Sequence, residues 1–230
     1  MELNPKDFQS DLPEQHIHVY FSDEELGLEV GVWTTTSMQE SFGPYPGDEF
    51  MVVLEGQVKM VDSEENEVLV KSGETFVIRN AIPISWKQEG FLRKFYMTYA
   101  DPKAESGVLP SAEGGVIVFD QEQLKMQMTL MDSTEPFVIH GEKPLQNNCV
   151  NFTNDAGNMF TGMWDSTAFE SEMRAYQWHE MVHLLEGRVR ITDSLGITQE
   201  FEAGESFFIP KGTRCQWTVD QYVKKFYAVI

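Results

Sequence analysis

The sequence predicts an all-β protein that consists of two copies of one antiparallel sandwich or barrel. The 230-residue chain repeats itself at an offset of 131 positions, which indicates two similar domains of roughly 100 residues each. Within each copy, short runs rich in β-branched and aromatic residues alternate with Gly, Asn and Asp turn residues. No segment has a convincing helical period, so an antiparallel all-β architecture is favoured.

The repeat is clearest between residues 45–56, YPGDEFMVVLEG, and residues 176–187, YQWHEMVHLLEG. Without a gap, residues 19–99 align with residues 150–230 and give 21 identities in 81 pairs, against roughly 5 expected by chance for an average composition. The identities include two pairs of tryptophans and a Lys-Phe-Tyr triplet near the end of each copy. Both copies are therefore predicted to share one fold.

The second copy contains His179, Glu180 and His183 in the spacing H-E-x-x-H, which on a helix is typical of a zinc metalloprotease. The first copy predicts a strand instead, because residues 50–54 are continuously apolar and a Glu-Gly turn and a second, alternating run follow. On a strand, residues four apart are separated by roughly 13 Å, at about 3.3 Å per residue. We therefore expect no protease site, and both histidines on the face opposite Glu180.

Before the first copy, residues 1–15 are polar and rich in Pro, Asp and Glu, which is typical of a loose arm. His16 and His18 could share a metal if they lie on a strand. The second copy has Asn147 and Cys149 at the corresponding positions, which disfavours a ligand role for this histidine pair.

Between the copies, residues 100–115, ADPKAESGVLPSAEGG, have the composition of a linker. We predict an N-terminal domain of residues 1–103, mainly structural, and a C-terminal domain of residues 104–230 that contains the candidate active pocket. Residues 116–148 are expected to be extended, because apolar side chains alternate at Leu124, Met126, Met128 and Leu130.

Composition excludes several classes of partner. The formal net charge of −20 at pH 7 disfavours nucleic acid and anionic membrane surfaces. No apolar run approaches the roughly 20 residues that a membrane helix needs, and no secretion signal is visible at the N-terminus. Two cysteines, Cys149 and Cys215, do not make a disulfide framework, so a cytoplasmic protein is expected.

The motifs LEGxV and GExFxIP resemble those of the cupins, a jelly-roll family. The first cupin motif contains two histidines and a glutamate before a glycine, and Glu180 and Gly187 fit its last part. The second motif is P-x-G-x-x-H, and Pro210 and Gly212 fit its start. The pattern as a whole more closely resembles the branch that includes (S)-ureidoglycine aminohydrolase, itself a two-cupin protein. The resemblance implies tandem cupin domains, and family members that pair through sheet edges imply a homodimer.

The resemblance places few of the family's metal ligands on this chain. The two family histidines fall on Arg174 and Tyr176, and the histidine of the second motif falls on Cys215. In the aminohydrolase the last ligand is a glutamine just before a tryptophan, and Gln216 and Trp217 look like that pair shifted by one residue. The first copy retains Glu49 but has Gly43, Tyr45 and Ile84 at the other positions.

Two functions follow from this set. In the first, the protein is an aminohydrolase-like enzyme acting on a small polar metabolite, with Glu180 as the catalytic residue and one divalent ion (Mn, Zn, Ni or Fe) held by Glu180, Cys215 and Gln216. In the second, it is a metal-free binding or sensing protein for a small carbohydrate or nitrogenous acid. In that case Arg174, Tyr176, Gln216 and Trp217 would contact the ligand.

Overall fold

The computed structural model describes residues 3–102 and 114–230. The chain divides into two compact units, Met1–Phe119 and Asp120–Ile230. The described residues form antiparallel strands throughout, with one short α-helix and one 3₁₀ turn, so the predicted all-β fold class is confirmed. The predicted boundary after residue 103 and most of the predicted linker lie outside the described residues, while residues 114–119 belong to the first unit.

The first unit contains a 3₁₀ turn and two antiparallel sheets. The turn is Pro5–Asp7, and the strands are β1 Gln15–Asp23, β2 Leu28–Thr35, β3 Met38–Gln39, β4 Gly43–Pro44, β5 Asp48–Glu55, β6 Gln57–Val61, β7 Glu67–Lys71, β8 Thr75–Ile78, β9 Pro83–Gln88, β10 Leu92–Tyr99 and β11 Val116–Val118. One sheet has the order β1-β2-β10-β5-β8-β11, and the other has the order β3-β9-β6-β7 with β4 beside β9. Side chains from both sheets, among them Met51, Phe76, Met60 and Trp86, form one apolar core.

The second unit begins with helix α1, Gln121–Gln127. Its strands are β12 Thr129–Leu130, β13 Ile139–His140, β14 Gln146–Thr153, β15 Phe160–Ser171, β16 Arg174–Ala175, β17 Glu180–Asp193, β18 Thr198–Glu202, β19 Ser206–Ile209 and β20 Arg214–Val229. These strands form a single sheet with the order β12-β14-β15-β20-β17-β18, to which β13, β16 and β19 add at β15, β20 and β17. At the repeat offset, β17 corresponds to β5 and β6 of the first unit, and β20 corresponds to β9 and β10. Each of these long strands therefore spans two strands of the first copy.

A glycine is required at the turn that follows Leu-Glu in each copy. Gly56 and Gly187 have φ values of +84° and +80°, a region that side chains with a Cβ rarely adopt. A Cβ on Gly56 would also overlap the carbonyl oxygen of Phe91, and one on Gly187 would overlap that of Tyr222. The glycine of the LEG motif therefore allows the close approach of a neighbouring strand.

The predicted strand at the H-E-x-x-H motif is confirmed. Glu180 and His183 lie on β17, which pairs with β19 and β20. Val182 and Leu184 belong to the apolar core of the second unit, whereas the Nδ1 atom of His183 lies 2.9 Å from the hydroxyl of Ser206. His183 therefore lies on the other face of the strand, as predicted. Burial lowers the pKa of His183 to about 4, so its imidazole is neutral at physiological pH.

The expectation of extended chain throughout residues 116–148 is wrong at residues 121–127, which form α1. The carboxylate of Asp120 accepts hydrogen bonds from the backbone N–H groups of Glu122 and Gln123 and so caps the helix. On this helix Leu124 is buried and Met126 is 81% exposed. Residues two apart share one face of a strand but point to nearly opposite sides of a helix. The apolar residues at every second position therefore predicted a strand, whereas on α1 Leu124 and Met126 lie on different sides.

Among residues 3–102 and 114–230, no helix has the length and apolar character that a membrane crossing requires.

Candidate functional site

The interior of the second unit contains a buried ion pair. The Nζ atom of Lys225, on β20, lies 2.6 Å from Oε1 of Glu180, on β17, and both side chains are 4% exposed. The hydroxyl of Tyr176 donates a hydrogen bond to Oε2 of Glu180. Burial and the neighbouring carboxylate raise the pKa of Tyr176 well above its usual value, so its hydroxyl remains a donor. Both oxygens of Glu180 are thus occupied by protein groups.

Aromatic rings surround the ammonium group of Lys225. Its Nζ atom lies 4.8 Å from the ring centroid of Trp164, 4.9 Å from that of Trp217 and 6.0 Å from that of Tyr227. These distances are within the range of cation–π attraction. The ammonium is therefore stabilised both by one carboxylate and by the faces of rings that exclude water.

The first unit contains the same arrangement. The Nζ atom of Lys94 lies 2.6 Å from Oε1 of Glu49, and the hydroxyl of Tyr45 lies 2.6 Å from Oε2 of the same carboxylate. Ring centroids lie 5.1, 4.7 and 5.6 Å from Nζ; they belong to Trp33, Trp86 and Tyr96. All six residue types are identical between the copies. We call each set the lysine cluster of its unit: Trp33, Tyr45, Glu49, Trp86, Lys94 and Tyr96 in the first, and Trp164, Tyr176, Glu180, Trp217, Lys225 and Tyr227 in the second.

Strand register brings the lysine cluster together. In the second unit Glu180, Val182 and Leu184 face inward from β17, and they pair with Val229, Tyr227 and Lys225 of β20. Lys225 is thus opposite Leu184, and its long side chain runs along the core until its ammonium reaches Glu180. The period of two along both strands places the glutamate, lysine and tyrosine on one face.

A cavity adjoins each lysine cluster, and the two cavities differ in size and lining. The cavity of the first unit has a volume of about 460 Å³, and that of the second unit about 240 Å³. In the second unit Phe137 lies in the interior, with its ring centroid 5.1 to 6.2 Å from those of Phe169, Trp217, Trp164 and Tyr176. Phe137 is thus both a wall of the smaller cavity and part of the aromatic core beside it.

The lining of the first cavity contains several ionisable side chains. The residues that line it are Leu3, Asn4, Asp7, Phe8, Gln15, Ile17, Glu29, Trp33, Glu40, Tyr45, Pro46, Glu49, Trp86, Lys94, Tyr96 and Thr98. Burial raises the pKa of Glu40 to about 7, with a smaller upward effect of Glu49 and Asp7 and a downward effect of Lys94. The first unit, which the sequence predicts to be mainly structural, thus has the larger cavity and a carboxyl group that titrates near neutral pH.

The structure brings together some of the predicted site residues and separates others. Tyr176 and Glu180 line the cavity of the second unit, and Trp217 and Cys215 belong to the surrounding core. Burial raises the pKa of Cys215 to about 11, so its thiol is protonated at neutral pH. Arg174 is exposed on β16 and does not line this cavity.

Gln216 is likewise absent from the lining of that cavity. Its amide nitrogen donates to Oε1 of Glu170 at 3.1 Å and to the carbonyl of Ser171 at 2.9 Å. Because Trp217 is adjacent on β20 and faces the core, Gln216 faces the opposite side of the strand. The proposed set of Glu180, Cys215 and Gln216 around one ion is therefore not assembled on one face.

Sequence reasoning missed Lys94, Lys225 and Glu40. The signal for the lysines was present, since both belong to the repeated Lys-Phe-Tyr triplet. For Glu40 no such signal existed, because the corresponding residue of the second copy is Ser171.

Comparisons with known proteins agree with this architecture. The family model of the EutQ-like cupin domain matches residues 27–96 and again residues 153–227. A solved structure of a protein of unknown function of the DUF861 family, from Pseudomonas syringae, is similar with 26% identity over 92% of this chain and 85% of that one, at a TM-score of 0.80. No curated protein matches.

More distant structures share the fold. A cupin 2 conserved barrel domain protein from Leptotrichia buccalis has 11% identity, covers 94% of this chain and 89% of its own, and has a TM-score of 0.59. A mutant of salicylate 1,2-dioxygenase from Pseudoaminobacter salicylatoxidans has 14% identity, covers 88% of this chain and 71% of its own, and has a TM-score of 0.56. The expected tandem cupin fold is thus confirmed, whereas the homodimer and the cytoplasmic location stay predictions.

Proposed function

Because this chain belongs to the EutQ-like cupin family and contains two such domains, we propose that it binds a small organic molecule in the cavity of its first unit, without a resident metal ion. The observation that carries this proposal is the cavity of about 460 Å³ beside the first lysine cluster. Its volume is in the range of small-molecule sites, and its lining combines aromatic walls with a few charged groups.

The chemistry of the donor set supports the metal-free part of the proposal. In each unit the glutamate at the cupin ligand position has both oxygens occupied, one by a lysine ammonium and one by a tyrosine hydroxyl. An ammonium group 2.6 Å from the carboxylate would repel a divalent ion placed beside it. These residues therefore do not fit such an ion, and we propose that the lysine takes the place of the cation.

The same contacts favour binding over catalysis at Glu180. A general base needs a carboxylate oxygen that can reach a substrate proton, and neither oxygen of Glu180 is available while Tyr176 and Lys225 are bound to it. The aminohydrolase-like activity with Glu180 as catalytic residue would require this cluster to open. Ligand binding requires no such rearrangement.

The test is a thermal-shift screen of the full-length protein, purified without a metal-affinity tag and treated with a chelator. We expect at least one member of a panel of small acids, amides, amines and monosaccharides to raise the melting temperature. At a concentration of 100 Kd the gain is about 2.7 kcal/mol, or roughly 5 to 10 °C for a chain of this size.

Two variants of β1 locate the binding site. Ile17 lines the cavity and Val19 does not, and both side chains are 41% exposed. Ile17→Trp should remove the stabilisation by the ligand, whereas Val19→Trp should retain it. Stabilisation that survives Ile17→Trp, or that appears only after Mn, Zn, Ni or Fe is added, would refute the proposed function.

A further inference from the structure

The cavity of the first unit has an excess of negative charge on its wall. The ionisable groups that line it are the carboxyls of Asp7, Glu29, Glu40 and Glu49, the ammonium of Lys94 and the phenols of Tyr45 and Tyr96. Lys94 is already paired with Glu49, and the hydroxyl of Tyr96 donates to Glu29 at 2.6 Å. The lining therefore contains one ammonium group and four carboxyls, and the ammonium forms its ion pair with Glu49.

Neighbouring residues hydrogen-bond the backbone of Glu40. Its N–H donates to the carbonyl of Trp86 at 2.8 Å, and its carbonyl accepts from the hydroxyl of Ser85 at 2.6 Å. It also forms an isolated β-bridge with Phe8. Within residues 3–102 and 114–230, no hydrogen bond to the Glu40 carboxyl is found. A fixed backbone thus presents to the cavity a carboxyl group that no described residue hydrogen-bonds, although the charge of Lys94 acts on it.

The second unit has no equivalent of this group. Ser171 occupies the position of Glu40, and its hydroxyl accepts a hydrogen bond from the backbone N–H of Trp217. Phe137 lines the smaller cavity of the second unit and packs against Phe169 and Trp217. The lysine cluster is thus common to both units. The first cavity is lined by four carboxyls, whereas among the described residues the second cavity is lined by the carboxyls of Glu135 and Glu180.

From this arrangement we infer that the cavity of the first unit takes a small organic cation with a primary ammonium group and an apolar body, with the ammonium on the carboxylate of Glu40 and the apolar body against Phe8, Ile17 and Trp33. This inference rests on the proposed function, because it names the ligand class of the same cavity. An ammonium group supplies three donors to a carboxylate that lacks them. Charge-assisted hydrogen bonds of this kind are the stronger ones.

The same geometry predicts that binding releases protons. Burial raises the pKa of Glu40 to about 7, so without a bound cation this carboxyl is partly protonated at pH 7. A bound cation favours the ionised form and displaces the proton. The groups that act on Glu40 are Lys94, which opposes protonation, and Glu49 and Asp7, which favour it. Net release should be greatest between about pH 6 and 7 and should vanish above about pH 9.

Isothermal titration calorimetry with three matched compounds tests the inference. 2-Phenylethylamine is a cation at neutral pH, 2-phenylethanol is its neutral analogue, and 3-phenylpropanoate is an anion with the same ring. At pH 7 we expect the amine to bind at least about tenfold more tightly than the alcohol, and the carboxylate to bind most weakly. The heat of amine binding should depend on the ionisation enthalpy of the buffer, which reports proton release.

Variants assign the effect to Glu40. Glu40→Gln should weaken amine binding at least about tenfold and remove the dependence on the buffer, while binding of the alcohol is retained. Glu64→Gln makes the same chemical change at an exposed residue of the β6–β7 turn and should alter neither quantity. Unchanged amine affinity in Glu40→Gln would refute the assignment.

The outcomes separate this inference from the proposed function. If the alcohol or the carboxylate binds as tightly as the amine, or if the amine does not bind at millimolar concentration, the ligand class is wrong. The metal-free binding function then depends only on the thermal-shift panel and its response to Ile17→Trp. If Ile17→Trp leaves the amine affinity unchanged, the amine binds elsewhere and the inference also fails.

Discussion

Replacement of Lys225 by methionine removes the ammonium from the second lysine cluster while retaining most of the side-chain volume. In the native structure Lys225 and Glu180 are each 4% exposed and lie 2.6 Å apart. The variant leaves a buried carboxylate with only the hydroxyl of Tyr176 as a donor. Loss of one partner of a buried pair typically costs about 3–5 kcal/mol. At about 2–4 °C per kcal/mol for a chain of this size, the melting temperature should fall by roughly 10 °C.

An exposed pair of the same residue types provides the control. Lys59 and Glu67 lie 2.5 Å apart, but their side chains are 40% and 37% exposed. Lys59→Met should cost no more than about 1 kcal/mol, because water solvates the remaining carboxylate. Urea and thermal unfolding, followed by circular dichroism and tryptophan fluorescence, measure both variants in the full chain.

The double variant Glu180→Gln/Lys225→Met distinguishes loss of charge compensation from loss of packing. Because glutamine has no charge to bury, we expect the double variant to be more stable than Lys225→Met alone. If Lys225→Met is no more destabilising than Lys59→Met, or if the double variant is the least stable of the set, Lys225 does not compensate the charge of Glu180. Lys225 would then not take the place of a cation beside Glu180.

Two further predictions concern the cavities. Burial raises the folded-state pKa of Glu40 from 4.5 to about 7, so between these pH values the folded state binds more protons than the unfolded state. The free energy of unfolding should therefore fall by up to about 3 kcal/mol as pH rises from 4.5 to 7. Urea unfolding between pH 4 and 9 should show this loss reduced in Glu40→Gln; parallel curves for the two proteins would contradict the raised pKa. Phe137 is 7% exposed, so Phe137→Ala should cost about 3–5 kcal/mol and enlarge the cavity of the second unit, as measured by calorimetry and crystallography. A cost below about 1 kcal/mol would mean that Phe137 does not support this core.

The fold was predictable because the chain contains an internal repeat whose two copies can be compared with each other. Residues 176–187 taken alone contain a zinc-protease signature, and residues 45–56 do not. Since both copies must share one backbone, the unambiguous strand in the first copy determines the structure of the second. Helix α1 lies before residues 150–230, the part of the second copy that aligns with the first, so the repeat gives no second sequence with which to compare it. The local sequence signal for this helix is Asp120, whose carboxylate caps its first turn.

The candidate site was predictable where it depends on side chains that recur in both copies. Tyr176, Glu180 and Trp217 were found in this way. The prediction of Arg174 and Gln216 rests on correspondence with a family's ligands, and a shift of one position along a strand moves a side chain to the other face. Gln216 shows the consequence, since its neighbour Trp217 faces the core while its own amide bonds to Glu170.

The differences between the two cavities distinguish residues that the fold requires from residues that serve a ligand. The lysine cluster is present in both units, beside the smaller cavity as well as the larger one, so its occurrence follows the fold and not the presence of a large cavity. A feature that serves a ligand should instead differ between the copies. Glu40 meets this condition, because its counterpart Ser171 bonds to the backbone of Trp217. Residues that differ between the copies and line the first cavity are therefore better candidates for ligand recognition than the repeated motif by which the family is detected.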